Sequence, residues 1–348
     1  MTIERRYPLT RFTRACYGEP VDCTPVWMMR QAGRYMPEYR ALREKYSFLD
    51  FCRAPEVAAQ ATLDAARILD TDAAIIFSDI TIPAWGMGLE LEFTPGPRFS
   101  PPVRTMEAID ALRSLNPVED CGFVMDAIRL TRKDLPDHVS LIGFVGAPLT
   151  LSAYMAEGYP DKNWVAFKTM LFNEPKTLHA LMERVTESIT KHAIAQIEAG
   201  CDAIQLFDTN AGLLPPGELR DFAFRYAGQA IQALKPLGVP VIYFAKGIGP
   251  YLEEAAALGP DVLGVDWTLS LTDVRKRLGN DVAIMGNLDP TALFASREEV
   301  DKRVRAVLQD AGDEPGYIFN LGHGILPKTP PENAVQVVQT IRDYCSKR

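Results

Sequence analysis

Two arginines four residues apart, Arg30 and Arg34, follow an apolar run in "PVWMMRQAGRYMPEYR", residues 25–40. Arginine stays charged at any physiological pH, and its planar fork of N–H donors matches a carboxylate or a phosphate. Two such forks at the end of a run that reads as a buried strand need an anion to face. That anion is either one of the protein's own acids or a ligand. Residues 30–53 hold six basic side chains (Arg30, Arg34, Arg40, Arg43, Lys45, Arg53) against three acidic ones (Glu38, Glu44, Asp50). The whole chain carries a net charge of -8, so this is a local basic patch on an acidic protein. It favours a ligand for Arg30 and Arg34. Pairing with the fold's own acids is the stronger reading for the outer cations.

The other chemistry-bearing residues share one context, the polar end of an apolar run. Asp79 ends "DAAIIFSD", where a carboxylate serves either as a cap for the next segment or as an acceptor facing a ligand. "LFDT" places Asp208 and Thr209 at the end of another run, with Asp208 a cap or brace. His323 lies between two glycines in "NLGHGI". Flanking glycines permit a sharp bend or a close backbone approach, and imidazole suits proton transfer or hydrogen bonding. A purely structural histidine is the alternative. Tyr154 follows "GAPLTLSA" and, taken alone, reads as an amphipathic core residue. Gln31, Lys246, Asp266, Asn287 and Asp289 complete the polar endings.

The elements that must position these residues recur along the chain. Eight short apolar runs appear: "TPVWMM", "DAAIIF", "VSLIGFV", "DAIQLF", "VPVIYF", "DVLGV", "DVAIMG" and "GYIFNL". Most are followed by a helix-like segment. "APEVAAQATLDAARIL" has Pro55 near its start, and "EPKTLHALMERVTESITKHAIAQIEAG" closes on Gly200. "SREEVDKRVRAVLQDAG" has Ser296 as N-cap and Gly312 at its end, and "PPENAVQVVQTIRDYC" follows as the last helix. Continuous apolar strands alternating with helices predict a parallel sheet buried on both faces. Eight of them predict an α/β fold, a single (β/α)8 barrel over residues 1–348, with its site at the C-terminal ends of the strands. An open doubly wound sheet is the runner-up, but "RQAGR" is not the glycine-rich turn it would carry. Residues 81–105, rich in Gly and Pro, read as a β-hairpin or excursion loop.

Composition narrows the function classes. Of 348 residues 47% are hydrophobic, enough for a large core, and the acidic balance points to neither nucleic acid nor an anionic membrane as partner. The N-terminal "MTIERRYPLTRF" lacks the apolar stretch of a secretory signal, and "VSLIGFVGAPLTLSAYM" is too short and too interrupted to span a membrane. The expectation is a soluble cytoplasmic protein. Six scattered cysteines with no Cys-x-x-Cys pair read as reduced thiols. No Walker loop, dinucleotide fingerprint or His/Cys metal spacing is present. The residues alone therefore lead to a cofactor-free barrel whose mouth joins strong anion binders to a buried carboxylate, suited to a polycarboxylate ligand.

"PVWMMRQAGRYMPEYR", "DAAIIFSDI", "GFVGAPLTLSAYM", "IQLFDTNAG", "GVDW", "GNLDP" and "NLGHGI", in this order, resemble the uroporphyrinogen decarboxylase family nearly end to end. The resemblance implies a cofactor- and metal-free enzyme, usually a homodimer. Its reaction would turn the four acetate side chains of uroporphyrinogen III into methyls, giving coproporphyrinogen III in haem and chlorophyll synthesis. It implies that Arg30 and Arg34 bind substrate carboxylates, with Gln31, Ala32 and Gly33 in the same binding segment. Asp79 would bind the pyrrole N–H groups at the centre of the macrocycle, and Tyr154, Thr209 and His323 would supply the remaining contacts. Asp79 and Arg30 are the catalytic pair on this view.

Two rivals remain. A zinc-dependent methyltransferase on the same barrel needs His and Cys at strand ends. This chain has "YFAKG" and His323 where those ligands would stand. A non-enzymatic tetrapyrrole-binding protein would keep the arginines and could dispense with Asp79, which is present.

Overall fold

The computed structural model describes residues 9–93 and 96–347. Residues 1–8, on which part of the N-terminal reading falls, lie outside the described residues.

Seven apolar runs form one parallel sheet. Its strands are β1 (Ala73–Ile75), β4 (Ser140–Gly146), β5 (Ala203–Asp208), β6 (Val241–Ala245), β7 (Val262–Gly264), β8 (Ala283–Leu288) and β9 (Tyr317–Leu321), hydrogen-bonded in that order. Almost all their residues are buried, as a parallel sheet covered on both faces requires. β2 (Glu90–Phe93) and β3 (Pro97–Ser100) pair antiparallel as a separate hairpin. The predicted excursion of residues 81–105 thus begins with a short helix, Ile82–Gly86, and continues as this hairpin; Thr94 and Pro95 lie outside the described residues.

The first run, "TPVWMM", departs from the eight-strand expectation. It makes one parallel bridge, Val26 to Phe319, and no strand. The reason is chemical. Pro25 has no N–H to give, and side chains take most of the donors that follow. The N–H of Val26 goes to the Asp72 carboxylate (2.8 Å), that of Met28 to the Gln31 amide oxygen (3.1 Å), and that of Met29 to the Asn320 amide oxygen (3.0 Å). The backbone still sits between the two ends of the sheet. Trp27 N–H donates to Phe319 O, Phe319 N–H to Pro25 O, and Asp72 N–H to Val26 O.

Inward-facing Trp27, Met29, Ile75, Ile142, Phe244, Met285 and Ile318 fill the space the sheet encloses, and Phe12, Ala15 and Cys16 join them from the helix Arg11–Cys16. Helices at Pro55–Leu69, Pro175–Ala199, Arg297–Ala311 and Pro331–Cys345 match the sequence reading. Ser296 accepts from Glu299 N–H as predicted, and Gly312 adopts the positive φ that ends its helix.

One expectation about the cysteines is corrected. Cys23 and Cys345 are joined as a disulfide, Cα atoms 5.4 Å apart, across 322 residues of sequence. The last helix brings them together. Its Arg342 donates to Asp72 (2.9 Å), the same buried carboxylate that holds Val26 and Arg11. Cys16, Cys52, Cys121 and Cys201 are free and buried.

Candidate active site

Arg30 stands just past the first run in the left-handed region, φ 63°, a conformation that crowds Cβ in any residue but glycine. The turn that holds it there is tight. Gln31 N–H donates to Met28 O (2.9 Å), and a Cβ on Gly33 would lie 2.9 Å from Arg30 O. The Arg30 stem lies along Gly324, where an added Cβ would come within 2.8 Å of Arg30 Cγ and 2.9 Å of Nε. The glycine after His323 is therefore the floor on which Arg30 rests. Its own φ lies outside the left-handed range, so space alone calls for glycine. Gly324→Ala is expected to displace the guanidinium and lower kcat/KM by about 10- to 100-fold, the scale of a misplaced binding group, while the melting temperature moves by only a few degrees. Kinetics within twofold of the parent protein would mean that Arg30 does not depend on this floor.

Neither Arg30 nor Arg34 makes an ion pair among the described residues, and both are exposed. Among the described residues the outer cations make no ion pair either. Arg40 donates to the backbone oxygens of Arg34 and Tyr35, Arg43 lies over the Phe48 ring, and Arg53 over the Trp85 ring. The basic patch keeps its charge free.

Asp79 braces a turn through one oxygen and leaves the other uncommitted among the described residues. Oδ1 accepts from Thr81 N–H (2.9 Å) and Thr81 Oγ–H (2.5 Å), bracing the turn into the helix Ile82–Gly86. Oδ2 has no donor among the described residues. Burial raises the carboxyl pKa, and the Thr81 hydrogen bonds and Arg30 pull it back down only in part.

The Arg30 charge reaches Asp79, Tyr154 and His323. The Asp79 charge raises the Tyr154 pKa, after burial, while Arg30 lowers it. Tyr154 stands on the helix Pro148–Glu157, its ring edge-on to Trp164 at 4.9 Å. His323 is pushed down to about 4, first by burial and then by Arg30 and Lys246. It is neutral at physiological pH, and each ring nitrogen can then donate or accept but not both. Thr209, half-buried, follows the last residue of β5.

Several predicted site residues turn out to hold the frame. The Gln31 side chain is buried, its amide donating to Ala73 O (3.1 Å) and accepting from Met28 N–H, and its carbonyl accepts from the Tyr35 hydroxyl (2.8 Å), so this residue builds the turn that carries Ala32 and Gly33. Asp208 accepts from Thr150 (2.7 Å) and Tyr243 (2.9 Å), with burial raising its pKa to about 6. Asp266 is committed to Gly247 N–H (2.7 Å) and Thr268, Asn287 donates to Asp266 O and Leu269 O, and Asp289 caps Thr291. Trp267, 36% exposed beside these residues, was missed; "GVDW" marks the strand end but nothing local signals that its indole stays open. Among the described residues no group of three or more His, Cys, Asp or Glu could hold a metal ion.

The chain as a whole is similar to known proteins. Residues 7–344 match the family model described as Uroporphyrinogen decarboxylase (URO-D). Curated relatives named uroporphyrinogen decarboxylase include that of Geobacter metallireducens, 49% identical over 97% of this chain and 99% of that protein. That of Geobacter sulfurreducens is 48% identical over the same shares. Among solved structures, a methyltransferase from Methanosarcina mazei superposes with a TM-score of 0.78 at 20% identity, covering 96% of this chain and 98% of the other. A putative vitamin-B12-independent methionine synthase from Listeria monocytogenes reaches 0.58 at 13% identity, covering 98% and 99%. At those identities the structural likenesses speak for the fold alone.

Proposed function

The chain belongs to the uroporphyrinogen decarboxylase family, and on that premise we propose that it converts uroporphyrinogen III to coproporphyrinogen III by removing CO₂ from the four acetate side chains, in tetrapyrrole biosynthesis. The observation that carries the reading is the pairing of two cations without acidic partners, Arg30 and Arg34, with a carboxylate that has one oxygen left free, Asp79. An octacarboxylate needs the first, and a ring of pyrrole N–H donors needs the second.

The chemistry needs a place for electrons. An acetate on a neutral pyrrole has none, so the C–C bond cannot break readily. Protonation of a ring carbon creates a cation, and the electrons of the breaking bond flow into it as CO₂ leaves. The methylene carbon then takes a proton to become methyl, and the ring carbon returns one. Ionised Asp79, held toward the pyrrole N–H groups, stabilises the positive charge as it grows, in a site where water screens little. Arg30 and Arg34 grip substrate carboxylates, with Arg30 at the reacting one. A guanidinium is a poor acid, with a pKa above about 12. The ring proton therefore comes from a carboxylic acid or water that Arg30 holds. Neutral His323, Tyr154 and Thr209 hydrogen-bond the macrocycle and its side chains. The residues call on no metal or cofactor for these steps.

In this reading residues 1–348 make one (β/α)8 domain, the first run closing the sheet as its eighth member through Val26. No helix among the described residues is long and apolar enough to cross a membrane; the protein works in the cytoplasm as a homodimer, and no nucleic acid or membrane takes part.

The test is anaerobic incubation with uroporphyrinogen III, following seven-, six-, five- and four-carboxyl products by chromatography. All four are expected in succession, with the rate unchanged by a strong chelator. Folded protein that yields none would falsify the assignment, and chelator-sensitive turnover would favour a zinc enzyme.

A further inference from the structure

Lys246 is a cation at a strand end that no acid among the described residues pairs with. It follows the last residue of β6 and its side chain is exposed. Its backbone is fixed on both sides. Lys246 N–H donates to Asp208 O (3.4 Å), and Lys246 O accepts from Gly212 N–H (3.1 Å) in the loop after Thr209. The next residue is pinned too, since Gly247 N–H donates to Asp266. No ion pair engages the ammonium among the described residues. Asp266, whose carboxylate pins the next residue, is buried and already accepts from Gly247 N–H, Thr268 N–H and Thr268 Oγ–H. The Lys246 ammonium sits 5.4 Å over the Trp267 ring instead, a cation–π contact that holds a charge in place without cancelling it.

This lysine is contiguous with Arg30. Arg30 rests on Gly324; Trp267 backbone packs as closely against Gly322, where an added Cβ would lie 2.5 Å from Trp267 N. His323 lies between those two glycines. Arg30 and Lys246, the latter through Trp267, are thus tied to the two glycines beside one imidazole, and the fields of both reach it.

Resting on the decarboxylase reading above, we propose that Lys246 is a further substrate-binding residue, which grips a propionate carboxylate of the porphyrinogen near His323, with the Trp267 indole holding the ammonium in line. A propionate fits better than an acetate. The lysine side chain is exposed, whereas the acetate that reacts must reach the half-buried Asp79. Propionates also survive all four steps, so such a grip serves every intermediate.

Steady-state kinetics on Lys246→Gln, Lys246→Arg and the parent protein test this. Lys246→Gln should raise KM for uroporphyrinogen about 5- to 30-fold with kcat within about twofold, as loss of a binding contact equal in ground and transition state predicts. The increase should be the same for the seven-, six- and five-carboxyl intermediates. Lys246→Arg should recover most of the loss, and KM should rise less steeply with KCl in Lys246→Gln than in the parent protein. In parallel, uroporphyrin, the stable oxidised octacarboxylate, is titrated by fluorescence quenching and should bind Lys246→Gln more weakly by a similar factor. Parent protein that makes no decarboxylated product but binds uroporphyrin through Lys246 would overturn the decarboxylase reading and leave the lysine standing. KM and uroporphyrin affinity within twofold of the parent, at unchanged salt dependence, would overturn the lysine assignment. An effect on one decarboxylation step alone would overturn the choice of propionate.

Discussion

Asp79→Asn is expected to lower kcat by about 10²- to 10³-fold, the scale on which removing one preorganised electrostatic group slows an enzyme, while KM and uroporphyrin affinity change only a few-fold. The argument is geometric. Asparagine keeps Oδ1, so the two Thr81 hydrogen bonds at 2.9 and 2.5 Å survive. The turn into the helix Ile82–Gly86 stays built and the melting temperature should not fall. What changes is the other atom, an NH₂ in place of a free carboxylate oxygen, turned toward pyrrole N–H groups that also donate. The negative charge that offsets the ring cation disappears. Losses of equal size in kcat and in affinity would assign Asp79 a positioning role instead. The pH profile of the parent protein carries the same information. Burial lifts the Asp79 pKa above its ordinary value of 3.8, and the ionised form is the working one. Activity is therefore complete well above the lifted pKa and is lost as pH falls through it, at a higher pH than an ordinary aspartate would set. His323, pushed down to about 4, is neutral through the working range and gains its proton only in acid, so the loss of this limb in Asp79→Asn is what assigns it to Asp79.

The sheet was readable because its signal is local. Each of seven runs is apolar over its length and is followed by a polar cluster, and each became a strand. The eighth run carries the same pattern, yet its N–H groups go to Asp72, Gln31 and Asn320. Two of those partners lie 46 and 291 residues away, and no window on the first run contains them. The Cys23–Cys345 bond is invisible for the same reason: spacing rules read close cysteines, and this pair meets only after the last helix has docked. At the mouth, the type of each charged residue was legible but its commitment was not. Asp79, Asp208 and Asp266 all end apolar runs. Only Asp79 keeps an oxygen without a donor, because Thr81 supplies both its hydrogen bonds to one atom, whereas Thr150 and Tyr243 occupy both oxygens of Asp208. "D-x-T" in "SDIT" is a visible sign of such a turn. The Tyr243 contact is not foreseeable from sequence.

Arg30 separates stability from function more sharply than any other residue of the mouth, because its backbone and its side chain make opposite demands. Its φ of 63° costs a residue with a Cβ about 1–2 kcal/mol. Glycine would avoid that cost but would add about 0.5–1 kcal/mol of chain entropy to lose on folding. Arg30→Gly should therefore melt within a few degrees of the parent protein, or slightly above it. The same substitution removes a guanidinium that pairs with no acid among the described residues and rests on Gly324. Losing a charged partner from a substrate carboxylate costs about 2–5 kcal/mol, so kcat/KM should fall roughly 30- to 4,000-fold. Arg30→Lys keeps the charge and loses the fork, and should lie between the two. A large drop in melting temperature for Arg30→Gly would show that the side chain supports the fold, and near-normal kinetics would remove Arg30 from the site. If both measurements come out as expected, the protein tolerates a left-handed arginine because only there, beyond the first run and over the glycine that follows His323, does the guanidinium face the same space as Asp79.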